Sequence, residues 1–171
     1  MNSLICRNKF KMKRILSVIL FSYFIFSNAQ EEKIVELLNL QIQKEEKLYD
    51  EFDKKMPKLI QLFEIEDGVL SFEFLYDEPD QVVSMRREVV LDKIKNINKS
   101  GEVVFLTKET ATKQIANMKS KINKDQSQYF ILNSMFLTEI RKETDNKDFR
   151  DELLKAFRNA GYDVSSEFWM D

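Results

Sequence analysis

Residues 59 to 76 read LIQLFEIEDGVLSFEFLY, two runs of alternating apolar and polar residues on either side of Asp67-Gly68. An Asp-Gly pair between such runs is typical of a two-residue hairpin turn, because glycine adopts a positive φ that other residues resist. Pairing Glu66 with Val69 fixes the register and divides the side chains between two faces. One face then carries Phe63, Ile65, Leu70, Phe72, Phe74 and Tyr76, and the other carries Glu64, Glu66, Ser71 and Glu73. The stretch predicts an antiparallel hairpin with one aromatic face and one solvated face.

Amphipathic helices are predicted at both ends of the strand-rich region. Residues 31–56 place apolar side chains at helical spacing and stop at Pro57, which cannot continue a helix. Near the C terminus, Asp148 can cap a helix whose first apolar residue is Phe149. Gly161 then stands where a left-handed residue ends a helix, with Tyr162 and Phe157 as the apolar pair of that ending. The apolar positions are Ile34, Leu38, Ile42, Tyr49, Phe52 and Met56 in the first helix, and Phe149, Leu153, Leu154, Phe157 and Ala160 in the last.

Strands are predicted over residues 81–91 and 103–107, where apolar residues alternate or cluster. Between them and the last helix, Ala111, Ile115, Met118 and Ile122 follow at spacings of 4, 3 and 4, which predicts a short helix over residues 110–122. Residues 128–140 fit either one long strand or a hairpin folded at Asn133-Ser134. The apolar tail at residues 168–170 is expected to dock on the domain.

The first thirty residues are typical of a cleaved secretory signal. A basic stretch at residues 7–14 precedes twelve mostly apolar residues, 15–26, and the small residues that follow suit a cleavage site. A membrane-spanning helix needs about 20 apolar residues, so the run is too short for an anchor. Met1 and Met12 would both serve as the start. We therefore expect residues 31–171 to form one α+β domain that is soluble and periplasmic, associated with the outer membrane, or secreted.

Composition excludes several chemistries. The 171 residues include no histidine and a single cysteine, Cys6, which lies in the predicted leader. Hydrolases that use a serine–histidine or cysteine–histidine pair, zinc sites with imidazole ligands and disulfide scaffolds therefore have no residues to build on. The chain has 27 basic and 29 acidic residues, and five of the basic ones belong to the leader. The rest is acidic, with a net charge of −7, which argues against nucleic acid as a partner.

Carboxylates are the remaining catalytic candidates, and each group has a plainer explanation. Glu64, Glu66 and Asp67 could supply an acid and a base, but the alternation turns the two glutamates toward solvent. Asp77, Glu78 and Asp80 lack the spacing of an EF-hand calcium loop and suit a turn around Pro79. The acids from Asp145 to Glu152 suit the start of the last helix. We expect no catalytic, metal or cofactor site among them.

Basic residues concentrate in the middle of the chain. Residues 86–124 carry ten basic and four acidic groups, between two acidic flanks. They could present a face to an anionic partner, or they could simply balance the acidic flanks once folded. The residues of the possible face are Arg86, Arg87, Lys93, Lys95 and Lys99.

The order of elements resembles the pleckstrin-homology-like arrangement, in which a bent antiparallel sheet is closed at one end by a final helix. The resemblance covers residues 59–162 and includes the segment Leu91 to Ile97, which has the Leu-x-x-Ile-x-x-Ile pattern. The first helix and the predicted helix at 110–122 depart from that arrangement. The basic lipid-binding hairpin loop has no counterpart, so the resemblance implies the shape and argues against inositol lipids.

The sequence therefore predicts an antiparallel sheet packed against a long N-terminal helix and a capped C-terminal helix. The absence of the commonest catalytic residue types favours a non-catalytic protein-interaction or envelope-associated binding module, with a possible protein partner in the cell envelope. Two alternatives stay open. One is a carboxylate-dependent hydrolase of the envelope, which needs two acids facing each other across a cleft. The other is a carrier of a small apolar ligand held between the aromatic sheet face and the first helix.

Overall fold

The computed structural model describes residues 30–48, 57–123, 125–141 and 146–170. These residues form an α+β fold in which strands predominate. Helix α1 covers residues 30–48 and helix α2 is Lys147–Asn159. The strands are β1 (Lys58–Glu66), β2 (Val69–Asp77), β3 (Gln81–Val90), β4 (Ile94–Ser100), β5 (Val103–Thr107), β6 (Thr112–Ser120), β7 (Gln126–Asn133), β8 (Met135–Leu137) and β9 (Trp169–Met170).

Two sheets divide the strands. The larger has five strands in the order β1-β2-β3-β6-β7, and the smaller has four in the order β8-β5-β4-β9. Every pair is antiparallel except β4 with β9. The chain leaves the larger sheet after β3, builds β4 and β5 in the smaller sheet, and returns for β6 and β7. It then crosses back to the smaller sheet at Ser134, between β7 and β8.

The predicted hairpin is confirmed in its turn and in its register from Glu64 to the turn. Glu66 pairs with Val69 and Ile65 with Leu70, and both turn residues have positive φ, 51° at Asp67 and 74° at Gly68. The register of β1 shifts on both sides of Gln61. Phe63 lies within the shifted segment, and its ring stacks on that of Phe72 with the centroids 4.4 Å apart. The aromatic face is therefore the core face.

Six phenylalanines form the centre of the core: Phe63, Phe72, Phe74, Phe105, Phe136 and Phe157. Phe136 lies between the sheets, with its ring centroid 5.6 Å from both Phe72 of the larger sheet and Phe105 of the smaller one. The ring of Phe157 extends the cluster from α2, 5.8 Å from Phe105. Aromatic rings at these separations attract one another in addition to the apolar area that they bury.

The C-terminal helix ends as predicted. Gly161 has φ of 90°, its N–H donates to Arg158 O, and the N–H of Tyr162 donates to Phe157 O, each at 3.0 Å. This is the Schellman pair of hydrogen bonds, and the rings of Phe157 and Tyr162 lie 6.1 Å apart. The predicted start was wrong: the residue before the helix is Asn146, and Asp148 lies in the first turn.

The tail docks on the smaller sheet, as expected. Trp169 pairs with Lys99 as part of the parallel strand β9, and its Nε1 donates to Asn146 Oδ1 at 2.9 Å. Its ring is 6.4 Å from that of Phe149 on α2. Phe168 and Met170 remain exposed on either side of it.

The helix predicted over residues 110–122 was wrong. Residues 112–120 are instead strand β6, in the interior of the larger sheet between β3 and β7. The two alternatives for residues 128–140 were both wrong, although the break falls at Ser134 as the hairpin alternative required. β7 and β8 do not pair with each other, because β7 pairs with β6 and β8 with β5.

The predicted helix over residues 31–56 is confirmed for its described part, which packs Ile34, Leu38 and Ile42 into the core. Residues 49–56 lie outside the described residues, as do residues 1–29 of the predicted secretory signal. No helix among the described residues combines the length and the apolar character needed to cross a membrane.

Candidate interaction surface

The five residues of the predicted basic face do not come together on one surface. Arg86 and Arg87 are neighbours in β3, so their side chains point to opposite faces of the sheet. Lys93 pairs with Glu109, with 2.7 Å between Nζ and Oε1. Lys95 is exposed on β4, whereas Lys99 is 1% exposed and donates to Asn146 Oδ1 at 3.2 Å. Binding of an anionic partner by these residues stays a prediction.

The acids considered above take structural positions. Glu64 on the outer face of the hairpin lies 3.5 Å from the Arg86 guanidinium. Asp77, at the end of β2, pairs with Lys121 at 2.5 Å, and Lys121 also donates to Glu78 O at 2.7 Å. Within the described part of the chain, no group of three or more acidic or cysteine side chains is arranged to hold a metal ion.

A buried ionic cluster lies on the inner face of the larger sheet, and no sequence pattern predicts it. Arg87 Nη1 donates to Glu139 Oε1 and to Leu137 O, both at 2.8 Å. Arg141 lies 2.8 Å from the second oxygen of Glu139 and 3.2 Å from Glu102 Oε2. Glu139 is 1% exposed and has φ of 64°, a conformation that strains a residue with a side chain.

Aromatic and polar side chains surround this cluster. The guanidinium carbon of Arg87 lies 4.7 Å from the centre of the Phe74 ring, and its Nε contacts Gln114 Oε1 at 3.4 Å. Burial, and next the charge of Glu139, raises the pKa of the Tyr76 hydroxyl. The same two causes, in the same order, raise the pKa of Glu102. The cluster thus brings two acids, Glu102 and Glu139, close together, and a carboxylate-dependent hydrolase needs two acids that face each other across a cleft.

The pair is arranged as a structural ion network. Glu139 is enclosed and paired with two arginines, and Glu102 Oε1 accepts a hydrogen bond from the Glu139 backbone N–H at 2.7 Å. A general acid or base must reach its substrate, and the enclosed Glu139 carboxylate does not. The hydrolase reading therefore stays a prediction that gains no support from this pair.

The raised pKa of Glu102 predicts a pH dependence of stability. The folded protein binds a proton at the Glu102 carboxyl more tightly than the unfolded chain does. The stabilisation of the fold that results is fully present below the unfolded-state pKa of Glu102, and it is lost as pH rises through the folded-state pKa. We expect Glu102→Gln, which keeps an oxygen acceptor, to gain stability relative to the parent as pH rises from about 4 to 7. Urea unfolding at several pH values measures this.

Glu109→Gln is the matched control for that experiment. Its pKa is lowered by the hydrogen bond and charge of Lys93, so the sign is opposite. The stability of this variant relative to the parent should fall slightly with rising pH. A Glu102→Gln difference that is flat, or that also falls with pH, would contradict the assignment.

Strand β7 presents a run of exposed apolar side chains. Four consecutive residues, Tyr129, Phe130, Ile131 and Leu132, are exposed by 39%, 68%, 46% and 59%. Its register with β6 sets Tyr129 and Ile131 on the inner face, opposite Ala116 and Gln114, and the other two on the outer face. Both faces of the strand are therefore apolar and exposed. Contiguous exposed apolar surface of this kind marks interaction sites in soluble proteins.

The backbone of β7 is also available on one side. The strand pairs with β6 alone, and no backbone or side-chain hydrogen bond from another described residue reaches its outer edge. Natural sheets usually protect such edges with charges, prolines or bulges. Residues 126–138 contain no charged residue and no proline, and the register of β7 with β6 is regular. An unprotected edge is a template for another strand.

The opposite edge of the same sheet is protected. Asn39 of α1 places its side-chain amide against β1, where Nδ2 donates to Phe63 O at 3.0 Å and Oδ1 accepts from Phe63 N at 2.8 Å. The amide thus occupies both main-chain groups of Phe63, as a neighbouring strand would. The register shifts in β1 further disturb pairing at this edge. Among the residues that the structure describes, β7 is therefore the open edge of the larger sheet.

A groove of about 540 Å³ lies beside the start of β7, on the outer face between β3, β6 and β7. A second groove of about 420 Å³ lies between α1 and β1, and a third of about 230 Å³ between α1 and α2. None of these three grooves is lined by the buried phenylalanines. The hypothesis that this protein carries a small apolar ligand stays a prediction, and these three grooves do not support it.

The sequence contained a signal for this surface that the element-by-element interpretation missed. Residues 126–138 form a thirteen-residue stretch without charge in a chain that is one-third charged. An apolar run without alternation is typical of a strand buried on both faces. The topology places this run at the edge of the sheet instead, and only the fold shows that.

No protein-family model, curated protein or solved structure matches this chain. The pleckstrin-homology-like resemblance stays a prediction, and the function is argued from the geometry of the described residues.

Proposed function

We propose that this chain is an exported, non-catalytic interaction protein that binds another polypeptide by adding its strand to β7. The observation that carries the proposal is the exposed, uncharged segment from Tyr129 to Leu132 on an open sheet edge. Strand addition joins main-chain groups for affinity and uses alternate side chains for specificity. β7 offers both, because its outer backbone edge is open and its side chains are exposed on both faces.

The chemistry of the surface defines the partner. A segment without charge selects a partner strand that is also apolar and uncharged, because burying an isolated charge against it would be costly. Anionic lipid and nucleic acid bind mainly through basic side chains, and β7 has none. Export, which rests on the leader predicted from residues 1–30, would place the partner in the cell envelope or outside the cell.

Site-specific photo-crosslinking in producing cells tests this function. We expect a benzoylphenylalanine at position 130 to capture a polypeptide, and the captured band to weaken at least tenfold when Ile131→Lys is added to the same chain. The same probe at Leu40 is the control, since that side chain is exposed on α1, away from β7. Equal capture at both positions, or no capture at position 130, would overturn the proposal.

A further inference from the structure

The partner strand can be identified further from the chemistry of β7, and this step rests on the function proposed above. We infer that the polypeptide added to β7 is the β7 strand of a second copy of this chain, paired antiparallel about Phe130. The five-stranded sheets of two copies would then join into one sheet of ten strands across a two-fold axis.

The symmetry follows from strand geometry. Two identical edges pair antiparallel when the two-fold axis is perpendicular to the sheet, and the inner faces of both copies then lie on the same side. Residues directly opposite each other in an antiparallel pair share a face, so the axis must lie midway between one residue of β7 and the same residue of the other copy. Each β7 strand therefore pairs with the β7 strand of the other copy, which runs in the opposite direction.

The register follows from matching apolar with apolar residues. An axis at Phe130 sets Phe130 opposite its own copy and Tyr129 opposite Ile131, an aromatic with a β-branched residue, which is a favourable cross-strand pair. It also sets Gln128 opposite Leu132 and Ser127 opposite Asn133, so that seven residues from each strand take part. An axis at Tyr129 would set both Phe130 and Ile131 opposite polar residues, and an axis at Ile131 would set Tyr129 opposite Asn133 and pair only five residues from each strand.

Charge does not oppose a second copy at this edge. The chain after its predicted leader carries a net charge of −7, which generally opposes association between copies. β7 is an exception: in this register, no charged residue of the strand faces a charged residue of the other copy. Self-association can therefore proceed at this edge without like-charge repulsion between the paired strands.

Charge exchange at the axis tests the inference with purified protein. The parent should have twice the mass of one chain by light scattering. Phe130→Lys and Phe130→Glu should each be monomeric, because the axis places two like charges face to face. An equimolar mixture of the two should recover the double mass, because Lys and Glu then oppose each other. Ile122→Lys is the control and should remain dimeric, since Ile122 is exposed outside β7.

Disulfide formation tests the register. In a Cys6→Ser background, Phe130→Cys should form a dimer that reducing agent separates. Leu132→Cys should not, because the two Leu132 positions would lie four residues apart along the paired strands, about 13 Å, and a disulfide needs Cα atoms within about 7 Å. A disulfide dimer of Leu132→Cys alone would overturn the register.

The outcomes separate this inference from the function on which it rests. A parent protein that stays monomeric at 200 µM, or a Phe130→Lys variant that stays dimeric, would overturn self-pairing. If position 130 then still captures a different polypeptide in cells, the interaction function stands without it. Circular dichroism of each variant should be unchanged, because Phe130 is 68% exposed and contributes little to the fold.

Discussion

An Arg87→Leu variant is expected to lose about 3–5 kcal/mol of unfolding free energy. The change removes the guanidinium that pairs with Glu139 at 2.8 Å and leaves that carboxylate buried, with Arg141 as its one remaining cation among the described residues. It also removes the donor to Leu137 O, since leucine offers no hydrogen-bonding group. Denaturation by urea, followed by circular dichroism, measures the loss.

Arg86→Leu is a closely matched control, because it makes the same substitution at the next residue. The Arg86 side chain is 30% exposed; it contacts Glu64 and Glu88 on the outer face and donates to Gln61 Oε1 and Ser71 Oγ. Partly exposed pairs and hydrogen bonds contribute less than a buried ion pair, so we expect a loss of about 1–2 kcal/mol. Adding Glu139→Gln to Arg87→Leu should recover part of the larger loss, because the buried charge is then gone. Equal losses for Arg86→Leu and Arg87→Leu would contradict the assigned roles.

Phe136→Ala is expected to cost a similar amount, about 3–5 kcal/mol, by leaving a cavity in the core. The ring is fully buried between the two sheets, within 5.6 Å of Phe72 and Phe105 and 6.5 Å of Phe63. Its loss removes contacts on both sides at once, so we expect the two sheets to lose stability together in a single unfolding transition. Thermal unfolding monitored by near-UV and far-UV circular dichroism tests both statements.

The control for that experiment is Phe168→Ala, because Phe168 is 43% exposed in the tail and the substitution is the same. We expect a loss below about 1 kcal/mol there. If the near-UV and far-UV transitions of Phe136→Ala separated, or if its cost matched that of Phe168→Ala, Phe136 would not be the residue that joins the sheets.

Local signals predicted the parts of this fold that depend on neighbours in sequence. The Asp67-Gly68 turn needs positive φ at two adjacent positions, and the α2 ending needs a glycine followed by an apolar residue. Each requirement involves residues within six positions of one another. The hairpin turn with its adjoining register and the end of α2 could therefore be predicted from the sequence.

Strand β6 was missed because its inner face serves the ionic cluster. A half-buried strand is recognised by alternating apolar residues, but Thr112 and Gln114 occupy inner positions of β6, where Gln114 contacts Arg87. The remaining apolar residues then fall at spacings that suit a helix. The cluster itself joins residues 52 positions apart, Arg87 and Glu139, and no local pattern indicates such a pair.

The amide of Asn39 against β1 also sets the number of chains that the larger sheet can join. A subunit with two open sheet edges can pair with two neighbours and grow into a fibril, whereas a subunit with one open edge can pair with one neighbour and stops at a dimer. Because Asn39 occupies the middle of the β1 edge, pairing through β7 uses the edge of the larger sheet that the described residues leave open, and this sheet then offers no second edge to a third copy. A single side chain on α1 would thereby make growth of the larger sheet self-limiting, so that the fold can carry an apolar edge strand without driving aggregation.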